Sequence, residues 1–339
     1  MRRERERPGF PLLPLVWVGV LLGGASWAGA APDPLALDPH FRLSLPEALK
    51  PVDLAVDGAG HFYVASSPYG APTIVKLDPS GAPVGRTARD LRHRCFKIAA
   101  TPEGLVGLSF APGEDRDGPE HLFLFTAGGE RIGDWALDGE GLDLAVTGGE
   151  AVVLALQPLP DPQDKRKRKR LVLLRFDLKE RAFLPPRKIR DRRILPYMTG
   201  GAQAGDGPYI AQFHLAADPG GGVWLGYASE PTVERLTAGN GLESFRLADR
   251  TVDFQRPWYG AVLALSDGRV LFPSHRALPA GRFVAKAYHP AAGTWTTVQM
   301  PVPLNPTAVE RDGSLYFLRE DPPKTYTIRR YRVGGGETK

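Results

Sequence analysis

The sequence is poor in several residue types and patterns that carry familiar chemistry. Its 339 residues include one cysteine, Cys95, which excludes an intrachain disulfide. It contains no serine nucleophile elbow, no phosphate-binding glycine loop and no HExxH pattern, so serine hydrolase, nucleotide-binding and zincin-type sites have no support in it. Basic and acidic residues nearly balance, at a net charge of +5, which is too mild to indicate a nucleic-acid-binding protein.

Long hydrophobic runs are also scarce. The apolar stretch FPLLPLVWVGVLLGG, residues 10–24, is 15 residues long, short against the roughly 20 that a membrane-spanning helix needs. A basic segment precedes it, and Ala28-Gly29-Ala30 follows as a small-x-small cleavage site. We therefore expect residues 1–30 to be a signal peptide, and the protein to be exported to a periplasm or secreted after cleavage. An uncleaved anchor is the alternative.

Six similar hairpins recur along the rest of the chain. Each has an alanine in its first strand, shortly before a glycine-containing turn, at Ala55, Ala99, Ala145, Ala216, Ala264 and Ala308. Successive alanines are 44, 46, 71, 48 and 44 residues apart. A period near 45 residues, built of short strands, is typical of the blades of a β-propeller.

Further strands complete the repeats, but the sixth repeat ends one strand short. The segment HFRLSLP, residues 40–46, can supply the missing strand. Hydrogen bonding of this segment to the last blade would close the ring and remove an exposed sheet edge. The sequence thus predicts an all-β, six-bladed β-propeller over residues 40–335, between a linker at 31–39 and a disordered tail at 336–339. A tandem array of sandwich domains is the alternative, but it would need no such fixed register.

The first repeat, PVDLAVDGAGHFYVASSPYGAPTIVKLDPSG, resembles an NHL-type repeat. It has a proline, a strand of small apolar residues, an Asp-Gly turn, an aromatic strand and a second turn ending in glycine. The resemblance implies the six-bladed fold and a binding face formed by loops. It implies no single chemistry, because propellers of this kind include ligand binders, lactonases and lyases. Pro51-Val52 replaces the glutamate that the lactonase-like branch uses to hold its metal ion, which argues against lactonase activity.

The connections fall into two sets on opposite faces of the expected ring. The first-to-second and third-to-fourth turns of each blade are short and uniform. The second-to-third and blade-to-blade connections vary in length and composition, and we call the face that they form the variable-loop face. Irregular loops on a rigid scaffold are where function usually resides.

Cations and aromatic side chains are frequent in these variable connections. Arginine supplies fork-shaped hydrogen-bond donors and aromatic rings supply stacking surfaces, so the combination suits an anionic or sugar-like ligand or a protein partner. The alternative is that the rings fill the channel mouth and the arginines face water. The candidate ligand-binding residues are Arg92, Arg94, Tyr209, Arg256, Trp258, Tyr259, His275 and Arg276.

Our leading interpretation is a non-catalytic binding or scaffold module that needs no cofactor. The alternative is a metal-assisted lyase or hydrolase, in which His93, His214 and His275 converge on a divalent ion from three blades. No ligand-spacing motif connects these histidines.

A basic run, DKRKRKR at 164–170, occupies the long connection of the third repeat. Such a run can attract a polyanion on an anionic envelope surface, such as lipid headgroups or an acidic polysaccharide. The alternative is a solvated loop kept soluble by its charge. The candidate contacts are Lys165, Arg166, Lys167, Arg168, Lys169 and Arg170.

Overall fold

The computed structural model divides the chain into two units, residues 1–31 and residues 32–339. All of the described residues lie in the second unit. They are 33–45, 49–66, 73–87, 94–110, 119–158, 169–190, 213–218, 220–227, 232–239, 241–246, 262–278, 282–300, 309–321 and 325–333. They form β-strands and turns, and none of them forms a helix long and apolar enough to cross a membrane.

Four blades are separate four-stranded antiparallel sheets, each with its strands in chain order. Blade 1 contains β2 (Pro51–Val56), β3 (Phe62–Ser66), β4 (Thr73–Leu77) and β5 (Pro83–Thr87). Blade 2 contains β6 (Arg94–Ala100), β7 (Gly104–Phe110), β8 (His121–Thr126) and β9 (Arg131–Ala136). Blade 3 contains β10 (Glu140–Thr147), β11 (Glu150–Pro158), β12 (Lys169–Asp177) and β13 (Ala182–Arg190). Blade 4 contains β14 (Phe213–Ala217), β15 (Val223–Tyr227), β16 (Thr232–Leu236) and β17 (Leu242–Arg246).

The last two blades share one strand from the start of the chain. Blade 5 contains β18 (Leu263–Ala264), β19 (Val270–Leu278), β20 (Arg282–His289) and β21 (Thr294–Met300), and blade 6 contains β22 (Val309–Arg311), β23 (Ser314–Asp321) and β24 (Thr325–Val333). Strand β1 (Asp33–Ser44) pairs antiparallel with β24, from Leu35 opposite Val333 to Ser44 opposite Thr327. Its first residues also pair parallel with β21, so blades 5 and 6 form one continuous sheet.

The predicted six-bladed propeller, closed by an N-terminal strand, is thereby confirmed. First strands of successive blades contact each other around the whole ring, in the order β2, β6, β10, β14, β18, β22 and back to β2. The closing strand begins at Asp33, inside residues 31–39, which the sequence analysis assigned to a linker. The five shared alanines from Ala55 to Ala264 all lie in first strands, whereas Ala308 is outside the described residues.

Hydrophobic burial holds the ring together at the interfaces between blades. Six clusters of buried side chains are found among the described residues, and each joins two neighbouring blades. Because both faces of every sheet pack against a neighbour, the inner strands are apolar on both sides rather than alternating. In β3, for example, all five residues from Phe62 to Ser66 are buried.

Candidate functional site

The first strands of blades 1 to 5 line a central channel with a cavity of about 470 Å³. This volume lies within the range of small-molecule sites, roughly 300–1,000 Å³. Most of the described wall is apolar, with the shared alanines Ala55, Ala99, Ala145, Ala216 and Ala264 among its residues. Their small side chains leave room along the axis where the strands converge.

Five ionisable residues interrupt this apolar wall, and one of them, Asp218, is paired with Arg235. Asp53, Lys97, Asp143 and His214 come from blades 1, 2, 3 and 4 and line the same cavity. The side chains of Asp53, Asp143 and His214 are 4–6% exposed, and that of Lys97 is 16% exposed. We call these four residues the channel polar arc. Charged groups are seldom buried to this degree without partners or a function.

The four residues occupy one equivalent position of the repeat. Each lies two residues before the shared alanine of its blade, where blade 5 has Val262. The strand register also shifts directly before Asp53, Lys97 and Asp143, in the pairings of β2 with β3, β6 with β7 and β10 with β11. Such irregularities re-aim side chains. They precede three of the four polar groups at this level of the channel, whereas the pairing of β14 with β15 has none.

The ion pairs of the arc are unequal in length. Nζ of Lys97 lies 3.3 Å from Oδ1 of Asp143 but 4.0 Å from Oδ1 of Asp53. On the other side of Asp143, its Oδ2 lies 3.4 Å from Nδ1 of His214. Asp143 therefore has two close side-chain partners. Among the described residues Lys97 is the cation nearest to Asp53, and it lies beyond hydrogen-bond distance of its Oδ1.

The two carboxylates also connect neighbouring blades through the backbone. Ile98 N–H of blade 2 donates to Oδ2 of Asp53 at 2.8 Å, and Leu215 N–H of blade 4 donates to Oδ2 of Asp143 at 2.9 Å. Ile98 and Leu215 are themselves equivalent, one residue before the shared alanine. The arc thus serves the fold as well as the cavity, because each aspartate fastens its own blade to the next.

Burial and neighbouring charges move the pKa values of the two aspartates in opposite directions. Burial raises the pKa of Asp53 to about 6, although Lys97 and the Ile98 N–H counteract it. Burial alone would also raise the pKa of Asp143, but Lys97, His214 and the Leu215 N–H lower it to about 2. Burial opposes the charge of Lys97, yet Asp143 and Asp53 outweigh it, and the pKa of Lys97 lies above its ordinary value.

Most of the sequence-predicted site residues cannot be placed on this channel. Of the ligand-binding set and the histidine set, Arg92, His93, Tyr209, Arg256, Trp258 and Tyr259 lie outside the described residues. Arg94 begins β6, and His275 and Arg276 lie within β19 rather than in a loop, because the backbone stays extended to Leu278. Nothing in the described structure locates these three side chains.

Only the end of the basic run lies within the described residues. Lys165, Arg166, Lys167 and Arg168 lie outside the described residues, and Lys169 and Arg170 begin β12. The Arg170 guanidinium donates from Nε and Nη2 to Oε1 of buried Gln157, at 3.1 and 2.8 Å, so this cation binds within blade 3.

His214 is the one residue of the predicted histidine set whose side chain is located, and it lies in the channel wall. The described residues contain no group of three or more His, Cys, Asp or Glu side chains that could hold a metal ion. Sequence reasoning missed Asp53, Lys97 and Asp143. Aligning the repeats two residues before the shared alanine would have found all four members of the arc.

Comparison with solved structures finds proteins of similar fold. A member of the DUF4221 family from Bacteroides vulgatus aligns with a TM-score of 0.54 and 9% identity, covering 89% of this chain and 98% of that chain. A protein of unknown function from Bacteroides thetaiotaomicron aligns with a TM-score of 0.52 and 12% identity, covering 89% of this chain and 74% of that chain. Catalytically inactive virginiamycin B lyase from Staphylococcus aureus, with quinupristin, aligns with a TM-score of 0.49 and 12% identity, covering 87% of this chain and 89% of that chain.

The chain shares a propeller fold with its structural neighbours. At these identities the likeness extends to the fold alone. No family model matches the sequence, and no curated protein matches it significantly.

Proposed function

We propose that the protein is an exported propeller, of NHL-like type, that acts as a non-catalytic binding module and captures a small ligand in its central channel. The observation that carries this proposal is the cavity of about 470 Å³, whose wall combines apolar surface with buried charged side chains. A concave, largely apolar site with a few fixed polar groups is the usual form of a small-molecule site. The signal-like residues 1–30 support export, and the repeat pattern of blade 1 supports the NHL-like relationship.

Two parts of the hypothesis rest on sequence alone. The arginines and aromatic residues of the variable-loop face would contact an anionic or sugar-like portion of a ligand, or a partner protein. The run Lys165–Arg170 would add contacts to an anionic envelope surface. Replacing Lys165–Lys169 by serine tests the second part, since binding to anionic vesicles should weaken and lose its salt dependence.

A second candidate function is a metal-assisted lyase or hydrolase with a histidine site at the channel mouth. Contact between Asp143 and Nδ1 of His214 favours it, because a carboxylate at one ring nitrogen is the usual way to orient a functional imidazole. His93 and His275 would be the other ligands of the divalent ion. Near-stoichiometric metal in the purified mature protein would support this candidate.

One experiment separates the binder from the enzyme and tests the channel itself. The mature protein is incubated with a defined mixture of amino sugars, sugar acids, amino acids and polyamines, and retained compounds are measured by mass spectrometry. Ala264→Phe narrows the channel at a wall residue. Ala136→Phe makes the same change on the exposed outer strand of blade 2 and is the matched control.

Channel binding predicts that Ala264→Phe loses the retained compounds while Ala136→Phe keeps them, provided that both variants melt like the wild type. Compounds recovered unchanged support the binding module, and new masses support the enzyme. Equal retention by both variants would place the ligand elsewhere and overturn the proposal.

A further inference from the structure

The cationic and imidazole partners in the channel polar arc lie closer to Asp143 than to Asp53. Asp53 and Asp143 each contribute one negative charge when ionised, and Lys97 contributes one positive charge. A protonated His214 would add a second, but it lies against Asp143 rather than Asp53. Lys97 lies closer to Asp143 than to Asp53, so Asp53 is the less compensated carboxylate. An under-compensated charge in a site of low dielectric attracts a mobile charge of opposite sign more strongly than it would in water.

We infer that the central channel takes a small organic molecule carrying a protonated amine, whose ammonium group donates hydrogen bonds to the carboxylate of Asp53. This inference rests on the proposed binding function and specifies the chemical class of the ligand. One cation at Asp53 compensates the carboxylate whose cationic partner is the more distant. An anionic ligand would be repelled by this carboxylate, and a neutral ligand would leave it under-compensated.

The shape of the wall points to an organic cation. Blades 1 and 4 are opposite each other in a six-membered ring, so Asp53 and His214 lie at the two ends of the arc. The remaining described wall at this level comes from blade 5, where Val262, Leu263 and Ala264 are apolar. A ligand at this level therefore meets polar groups on one side and hydrocarbon on the other, which fits an amine attached to a small apolar or mixed body.

Titration of Asp53 couples binding to pH. Only the ionised carboxylate attracts an ammonium group, and burial raises the pKa of Asp53 to about 6. Among the described residues, Lys97, Asp143 and His214 are the ionisable groups of the other first strands that line this cavity. Asp218 also lines it but is paired with Arg235, and Tyr63 of β3 hydrogen-bonds to Asp57. Affinity for an amine should therefore rise roughly tenfold from pH 5 to pH 7, as the ionised fraction of Asp53 increases.

The test uses n-butylammonium as the probe, with 1-butanol and butyrate as neutral and anionic analogues of equal length. Dissociation constants are measured on the mature protein by calorimetry or ligand-observed NMR at pH 7. We expect n-butylammonium to bind at least tenfold more tightly than either analogue. Asp53→Asn should weaken it at least tenfold and remove the pH dependence. Asp312→Asn, at an exposed turn residue of blade 6, should change neither.

Unchanged affinity of n-butylammonium for Asp53→Asn would overturn the inference. Equal affinity for the amine and the alcohol would overturn it, and so would displacement of the amine by calcium chloride at matched ionic strength, which would indicate an inorganic cation site. If Asp53→Asn does not fold, the pH dependence of the wild type still decides. If the amine inference fails, the proposed function still stands provided that Ala264→Phe abolishes retention of other compounds.

Discussion

Asp53 and Asp143 occupy equivalent positions of the repeat, yet the pKa of Asp53 is raised and that of Asp143 is lowered. Both side chains are buried, and both accept a hydrogen bond from the backbone of the next blade. The difference is the distance to cationic or polar neighbours, since Asp143 has Lys97 and His214 close by and Asp53 has Lys97 at 4.0 Å. Pairs of carboxylic acids whose surroundings move their pKa values apart are typical of functional sites.

The raised pKa of Asp53 predicts an unusual pH dependence of stability. The folded-state pKa of about 6 exceeds the ordinary value of 3.8, so the folded protein binds the proton more tightly. Asp53 therefore stabilises the fold more at pH 4 than at pH 7, by roughly 2 kcal/mol, and this contribution is lost as the pH rises through 6.

Denaturant unfolding of wild type and Asp53→Asn at pH 4 and pH 7 measures this contribution. The difference in free energy of unfolding between the two proteins should change with pH in the direction stated, while the difference between wild type and Asp312→Asn should stay constant. A flat difference for Asp53→Asn would show that this carboxyl group titrates normally.

At the scale of single elements, the turn between β4 and β5 packs closely against the closing strand β1. The turn at 78–81 between β4 and β5 is held by Asp78, whose side chain accepts hydrogen bonds from Ser80 and Ala82 N–H. Gly81 follows in the left-handed region, at φ +91°, and a Cβ atom there would lie 2.5 Å from Cδ2 of Leu43 in β1. Glycine is therefore required at this position for its backbone conformation and for space.

Three glycine-to-alanine variants separate these two requirements. Gly239 has neither restriction, Gly268 has a positive φ in open space, and Gly81 has both. We expect losses in the free energy of unfolding near zero for Gly239→Ala, about 1 kcal/mol for Gly268→Ala and about 2 kcal/mol or more for Gly81→Ala. Equal losses for Gly81→Ala and Gly268→Ala in thermal or urea unfolding would mean that Leu43 moves aside without cost.

The stability of the whole molecule depends on closure of the ring by β1. Phe41 packs against Phe62 of blade 1 and Tyr316 of blade 6, with ring centroids 5.6 Å from each. Nη2 of Arg42 lies 3.2 Å from Oδ2 of Asp321 in β23. The first residues of the described chain thus hold the last blade against the first, and they cover a sheet edge that would otherwise be exposed.

Truncation tests this dependence directly. A chain beginning at residue 32 retains β1, and a chain beginning at residue 46 lacks it. We expect the first to unfold in one cooperative transition, and the second to lose cooperativity and bind a dye for exposed hydrophobic surface. If both variants melt with the same sharp transition at the same temperature, the closing strand contributes nothing essential.

Much of the architecture could be predicted because a repeat encodes it locally. The alanine register, the glycine turns and the apolar strands recur in each blade, and the missing strand of the sixth repeat pointed to residues 40–46. Extension of β1 back to Asp33 and its pairing with β21 were not foreseen, because they depend on a neighbouring blade more than 250 residues away in the chain. His275 and Arg276 were expected in a connection between strands, yet β19 continues to Leu278.

The amino-acid sequence by itself determined the class of fold, the number of blades and the strand that closes the ring, because strand period, turn residues and hydrophobic pattern are local properties. Only the tertiary structure decided that Asp53, Lys97, Asp143 and His214 meet in one channel. Successive members of this set, 44 to 71 positions apart in the chain, come together there because the blades place equivalent positions at one level around an axis. Their charges interact because burial removes the water that would otherwise screen them.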